Sequence, residues 1–337
     1  MSSWAIALGV PCAICIAAVW MLGRSRWAAR LADHPNPRSL HSRPTPRIGG
    51  IAIVLGSIPV AVAFATPELR LLWSLALGLA LVSFADDLRS LPIGIRLAAH
   101  FAAAAIAMAA IIPEALEARL ALVLLATVCV AWMTNLYNFM DGADGLAGGM
   151  AAIGFGVYAI AAYESGAIPL ALGCAAVASA AIGFLLFNFP PARVFMGDAG
   201  SIPLGFLAGA LGVAGAVEGA WPAWFPVLVF SAFAVDATVT LLRRVLRHER
   251  VWIAHRLHGY QRLVLSGWSA PRLAAWSYVL MAAAGACALA GRTQGATIQC
   301  AILAAWGVFY VVAFAAIERR RPRDKRLLEK TRIPGDG

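Results

Sequence analysis

The stretch Asn135-Leu-Tyr-Asn138-Phe-Met-Asp141-Gly142-Ala-Asp144-Gly145-Leu-Ala-Gly148-Gly149 decides how this chain is read. The D-G-x-D-G core suggests a calcium loop at first sight. An EF-hand needs a twelve-residue loop closed by Glu, and no Glu occurs between Glu117 and Glu164. What flanks the stretch is more telling: 119–136 and 149–163 are almost wholly apolar. A glycine-rich break between two such runs is tolerated at membrane depth where it lines a wet cavity. Asn138 and Asp141 offer hard oxygen ligands of the type Mg²⁺ prefers.

The same alternation extends outward over the chain. Of its 337 residues 61% are hydrophobic and 13% charged, and the mean hydropathy is +0.78, outside the range of an ordinary soluble domain. About eleven apolar runs are long enough to cross a bilayer, at 3–22, 48–66, 70–85, 96–112, 119–136, 149–163, 167–187, 202–217, 223–242, 273–290 and 296–317. A soluble core would need only one or two. The expectation is an all-α polytopic membrane protein, with 1–317 as one multi-span catalytic unit and 318–337 as a basic tail.

Charge sets the orientation. Of 27 Lys and Arg only Arg70, Arg119 and Arg292 fall on one side, leaving 24 on the other. The positive-inside rule then places the N-terminus outside and the C-terminus in the cytoplasm. The net charge of +10 sits beside span ends, so anionic lipid headgroups account for it and no nucleic-acid partner is expected. The first apolar run has no basic segment before it, so it is expected to stay as an anchor. Cys12 and Cys15 form C-x-x-C on an apolar helix, which reads as packing.

Five Asp-bearing segments return to the basic face: Asp33, Asp86-Asp87, Asp141/Asp144, Asp198 and the stretch from Asp236 to His258. Acids beside hydrocarbon are expensive and usually functional. Adjacent carboxylates diverge on a helix. One of Asp86 and Asp87 is therefore expected to face a pocket, the other to cap the next turn or orient Arg96. Arg96 and His100 follow at i, i+4, and His100 reads equally as a hydrogen-bonded core residue. In the first loop Arg43 and Arg47 could hold phosphate or simply set topology, and Gly49-Gly50 permits close backbone approach. Asp198 lies between glycines, and Gly200 and Ser201 are expected to offer backbone N–H groups at a helix start. Phe195 could stack on a base. His255-Arg256-Leu-His258 alternates donors suited to a diphosphate; a zinc site is the weaker reading, with no Cys nearby.

These segments resemble the polyprenyl-phosphate N-acetylhexosamine-1-phosphate transferase family, membrane enzymes of the WecA and MraY type. The resemblance covers roughly residues 31–265. It rests on Arg43-Pro-Thr-Pro-Arg47-Ile-Gly-Gly, Asp86-Asp87, Asn135-x-x-Asn138-x-x-Asp141-Gly-x-Asp144-Gly and Phe195-Met-Gly-Asp198-x-Gly-Ser, in that order. It implies transfer of a sugar-1-phosphate from a UDP-sugar to undecaprenyl phosphate, releasing UMP, with Mg²⁺ (or Mn²⁺) as cofactor. It further implies Asp198, with Asn138, as metal ligands; Asp86 or Asp87 assisting the lipid phosphate; Asp141 in the polar cluster; and Asp144 and Phe195 meeting the uracil. Substrate-binding roles fall to Arg43, Arg47, Arg96, His255, Arg256 and His258. The last loop departs from the His-rich pattern of the peptidoglycan and WecA branches and resembles the WbpL-like branch, which begins O-antigen or other surface glycans. A UDP-N-acetylhexosamine donor is therefore expected over UDP-MurNAc-pentapeptide, at the cytoplasmic face of a bacterial inner membrane, and a homodimer is compatible with this. A secondary transporter is the rival class, but no internal repeat is seen and the acids gather at one edge.

Overall fold

A computed structural model describes residues 2–35, 43–249 and 258–320. The chain opens with α1 (Ser3–Gly23) and the short α2 (Arg26–Arg30). A two-stranded antiparallel ribbon follows, β1 (Ala32–Asp33) on β2 (Thr45–Pro46), pairing Ala32 with Pro46 and Asp33 with Thr45. Then come α3 (Gly49–Phe64), α4 (Pro67–Arg89), α5 (Ile93–Ile111), α6 (Arg119–Phe139), α7 (Leu146–Glu164), α8 (Ile168–Asn188) and α9 (Asp198–Val217). The remainder is α10 (Trp224–Val229), α11 (Ser231–Leu246), α12 (Gly259–Leu265), α13 (Ala270–Gly291) and α14 (Ala296–Arg319).

The expected all-α polytopic membrane architecture is what the structure has. Among the described residues nine helices are long and apolar enough to cross a membrane: α1, α4 to α9, α13 and α14. Two expected spans differ in form. Helix α3 has 16 residues, about 24 Å at 1.5 Å per residue, short of a hydrocarbon core of about 30 Å. The run 223–242 is broken at Phe230 into α10 and α11. A helix break at that depth needs protein around it and replacement hydrogen bonds. Both are present. Phe230 is buried with its ring against Phe155 and Tyr158. Ser231 Oγ donates to the Leu228 carbonyl at 2.6 Å and lies 2.7 Å from Tyr310 Oη.

Local rules place the helix ends. The Thr66 side chain accepts from Leu69 N–H, Pro67 opens α4, and Glu68 sits in its first turn, as helix N-termini favour. Helices α7, α8 and α9 are mostly buried, whereas α14 lies at the periphery. Exposed Leu120, Leu124 and Leu125 on α6 and Val308, Val311 and Val312 on α14 suit a lipid solvent.

Because the helices run alternately, the starts of α3, α5, α7 and α9 and the ends of α4, α6 and α8 meet at one end. Contacts among them are described below. At the opposite end Arg292 pairs with Glu164 and reaches the Ala220 carbonyl. There too, Arg119 reaches the carbonyls of Ala109 and Ile112. The described residues of the Asp-bearing segments gather at one end, as expected. The basic tail from residue 321 onward lies outside the described residues.

Candidate active site

Two backbone segments form the floor. Phe195 N–H donates to the Pro46 carbonyl at 2.9 Å, Gly49 N–H to Phe195 at 2.9 Å and Gly50 N–H to Met196 at 2.8 Å. A Cβ on Gly50 would stand 2.3 Å from Gly200 N, so the glycine pair permits the close approach expected of it. Gly197 has φ +74° and ψ 170°, a conformation only glycine adopts without strain. It delivers Asp198 as the first residue of α9. Because α9 starts four residues earlier than expected, the N–H groups of Gly200 and Ser201 are already inside its first turn. Both bond the Gly197 carbonyl, at 3.0 and 3.1 Å. They do not form the anion site expected of them; the Ala199 N–H instead reaches the Asp87 carboxylate.

Onto this floor the structure brings four acids. Asp86 accepts Leu91 N–H on Oδ1 at 2.6 Å and Arg96 Nη1 on Oδ2 at 2.8 Å. Asp87 turns the other way, 3.9 Å from Arg47 Nη1, and its buried Oδ2 has no hydrogen-bond partner among the described residues. Asp198 Oδ2 lies 3.9 Å from Arg96 Nη1 and 3.5 Å from Asn138 Nδ2. Asp141, half-buried at the end of α6, accepts the Gly197 N–H. Its burial, and then the nearby Asp198 charge, push its carboxyl well above the ordinary carboxylate range. Arg47 binds Asp33 at 2.7 Å. Burial opposes its charge, but Asp33, Asp87 and Asp198 outweigh that and raise it above the ordinary guanidinium range.

The other expected residues divide. Asp144 Oδ2 accepts Ala192 N–H at 2.9 Å, tying two loops together. Phe195 is half-buried and Arg43 exposed; the Arg43 carbonyl accepts from Thr45 Oγ1. His100 is buried, with Nδ1 3.2 Å from Asn135 Oδ1, and it lines the same cavity as Arg96, so both of its readings have support. His258 is buried, with Nδ1 3.5 Å from Asp236 Oδ1. His255 and Arg256 lie outside the described residues. Sequence reasoning gave no role to Asn188. It is buried, accepts Gly145 N–H at 2.9 Å and donates to the Val194 carbonyl at 2.9 Å. An amide at the end of an apolar run was its only signal. Ser201 was read for its N–H, but its hydroxyl matters more, donating to Asn138 Oδ1 at 2.7 Å.

A cavity of about 670 Å³ opens beside this cluster. Asp86, Arg96, Asn138, Asp198 and His258 line it together with apolar Val82, Leu97, Phe101, Val128, Trp132 and Leu241. It lies between α4, α5, α6, α9 and α11, an assignment the sequence could not make.

The cluster fits a hard divalent cation. Its donors are all oxygen, and a buried Asp87 oxygen has no hydrogen-bond partner among the described residues. Among the described residues no group of three or more His, Cys, Asp or Glu forms a closed metal cage. A Mg²⁺ ion there would need waters and substrate phosphates beside one or two of these carboxylates. Asn138 presents its amide nitrogen to Asp198 and its oxygen to Ser201. Ligation through Oδ1 needs a half-turn of the amide, which Ser201 accommodates because a hydroxyl both donates and accepts.

Known proteins share this chain's pattern. A sequence model of the family described as Glycosyl transferase family 4 matches residues 69–216. A phospho-N-acetylmuramoyl-pentapeptide-transferase of Shouchella clausii is 32% identical over 255 residues, covering 67% of this chain and 76% of the relative. A probable undecaprenyl-phosphate N-acetylglucosaminyl 1-phosphate transferase of Bacillus subtilis is 25% identical over 252 residues, 70% of each chain. A phospho-N-acetylmuramoyl-pentapeptide-transferase of Geobacillus thermodenitrificans is 37% identical over a shorter stretch, 143 residues and 42% of each chain. Likeness of this extent, in a chain of membrane-spanning helices, places the protein in glycosyl transferase family 4, whose enzymes use a UDP-sugar to transfer a phospho-sugar to a polyprenyl phosphate.

Proposed function

We propose that this chain transfers N-acetylhexosamine-1-phosphate from a UDP-sugar to undecaprenyl phosphate and releases UMP. The site would lie at the cytoplasmic face of a bacterial inner membrane, starting an O-antigen or another surface glycan. One observation carries the reading: Arg96, held by Asp86 and close to Asp198, stands in an apolar groove between helices. That is where a lipid-borne phosphate would meet a polar donor. The basic residues gathered at this end of the helices support the orientation.

Both reactants are anions. Asp198 and Asp87, with Asn138, are the residues that would hold Mg²⁺ (or Mn²⁺). Such a cation supplies charge neutralisation between the phosphates and polarisation of the phosphorus under attack. The chain's own residues do the rest. Arg96 receives the lipid phosphate as its tail lies along Leu97, Phe101 and Trp132. The second pKa of such a phosphate is near 6, so at pH 7 it is largely a dianion and needs little deprotonation. A lipid phosphate oxygen attacks the phosphorus bearing the sugar, and the bond to UMP breaks. His258, with His255, Arg256 and Arg47, would stabilise charge on the departing UMP. Phe195 and Asp144 would meet the uracil, with Arg43 at the outer rim and Asp141 supporting the cluster.

The donor class is read from the resemblance of the last loop to the WbpL-like branch. His255-Arg256-x-His258 replaces a His-rich run and favours a plain or 6-deoxy N-acetylhexosamine. A second reading, UDP-MurNAc-pentapeptide as donor, is favoured by the likeness to the phospho-N-acetylmuramoyl-pentapeptide-transferases of Shouchella and Geobacillus. A panel of UDP-N-acetylhexosamines and the pentapeptide donor, offered to purified protein with undecaprenyl phosphate and Mg²⁺, decides between them. Lipid-linked product from an N-acetylhexosamine alone supports the proposal; product from the pentapeptide donor alone overturns it.

A further inference from the structure

Asp236 is a buried acid within α11. An acid there is expensive unless its partners require it. Gly259 N–H donates to its Oδ1 at 2.7 Å, Tyr260 N–H to its Oδ2 at 3.1 Å and Thr240 Oγ1 to its Oδ1 at 3.2 Å. The first N–H groups of a helix have no partner inside it, and Asp236 takes two of them from α12. His258 Nδ1 stands 3.5 Å from the same Oδ1. The imidazole is stacked beside Tyr260, 5.9 Å between centroids at 16°, and beside Phe139, 6.4 Å at 27°. Tyr260 Oη in turn reaches the Phe139 carbonyl. Phe139 ends α6, one residue after Asn138, and both line the groove with His258 and Asp198.

A Ser or Asn would suffice to cap α12. What a carboxylate adds is a negative charge against one edge of an imidazole. Nδ1 faces this carboxylate at 3.5 Å, a contact between charges when the imidazole is protonated, and Nε2 lies on the far edge of the ring. We infer that Asp236 is a positioning residue for phospho-sugar transfer: through His258 and the start of α12 it fixes the imidazole so that Nε2 is offered to a substrate phosphate. This rests on the functional reading above, which gives His258 a phosphate but gives Asp236 no role.

The test is a double-mutant cycle on full-length protein in detergent. It compares Asp236→Asn, His258→Gln and the double variant by UMP release from the accepted UDP-sugar with undecaprenyl phosphate. Each single change is expected to lower kcat/KM by about tenfold to a hundredfold, the range for a hydrogen bond to a charged group. If Asp236 acts through His258, the double variant is no worse than His258→Gln within about twofold, because the second loss falls on an interaction already removed. Losses that multiply overturn the inference. Should Asp236→Asn fail to accumulate as folded protein, the cycle runs on Thr240→Val, which removes one tie and leaves the acid. A smaller loss coupled to His258 is then expected, and multiplying losses again contradict it. Wild type without turnover on any UDP-sugar overturns the functional reading itself, and the positioning role with it.

Discussion

Asp86 and Asp87 are chain neighbours with separate partners: Asp86 holds Leu91 and Arg96, while Asp87 faces Arg47 and the start of α9. Their substitutions should therefore have different kinetic signatures. Asp86→Asn loosens Arg96 and is expected to raise the KM for undecaprenyl phosphate about tenfold, with a smaller effect on kcat. Asp87→Asn removes charge from the cluster and is expected to lower kcat by about a hundredfold or more. Steady-state kinetics with each substrate varied in turn checks the split. Matching profiles for the two variants would contradict the division.

The pH–rate profile of Asp87→Asn separates positioning from proton abstraction. If the lipid phosphate ionises by itself near pH 6, the residual activity should keep the wild-type acidic limb. A profile that loses this limb and reaches a normal alkaline plateau would make Asp87 the base.

Gly197→Ala should be costly. Its positive φ strains an L-residue by about 1–3 kcal/mol, and the added Cβ would stand 3.0 Å from Arg47 Cβ. A lower melting temperature in detergent is expected, with activity falling further than the folded fraction because Asp198 moves. Unchanged melting and turnover would show that the tight bend is dispensable.

Asn188→Ala strips partners from the Gly145 N–H and the Val194 carbonyl, both buried. Each orphaned group costs about 1–3 kcal/mol. The loops carrying Asp144 and Asp198 should come apart, visible as earlier thermal unfolding and as a raised KM for the UDP-sugar. A wild-type KM would leave Asn188 a role in stability alone.

Much of this was legible in the sequence. Apolar runs bounded by acids and arginines gave the helices, because a bilayer punishes any other arrangement. The glycine pair at 49–50 and the divergence of Asp86 from Asp87 followed from backbone sterics and helix geometry. What was hidden depends on tertiary partners. The start of α9 at Asp198 rather than residue 202 moved two N–H groups from ligand to helix. The break at Phe230 is permitted by Tyr158, Phe155 and Tyr310, none of them near it in sequence. Asn188 and Asp236 gain meaning only from loops that fold back onto them. The groove has no sequence signature, since its apolar walls look like any lipid-facing surface.

Magnesium-dependent UMP release by wild type and Asp198→Asn, measured with the same UDP-sugar and undecaprenyl phosphate, tests the central claim most directly. The expected result is turnover that a chelator abolishes and Mg²⁺ restores in wild type, and no turnover in a folded Asp198→Asn protein. Normal activity in that variant, or wild-type activity indifferent to the chelator, would contradict a cation-loaded acidic pocket at the mouth of the groove.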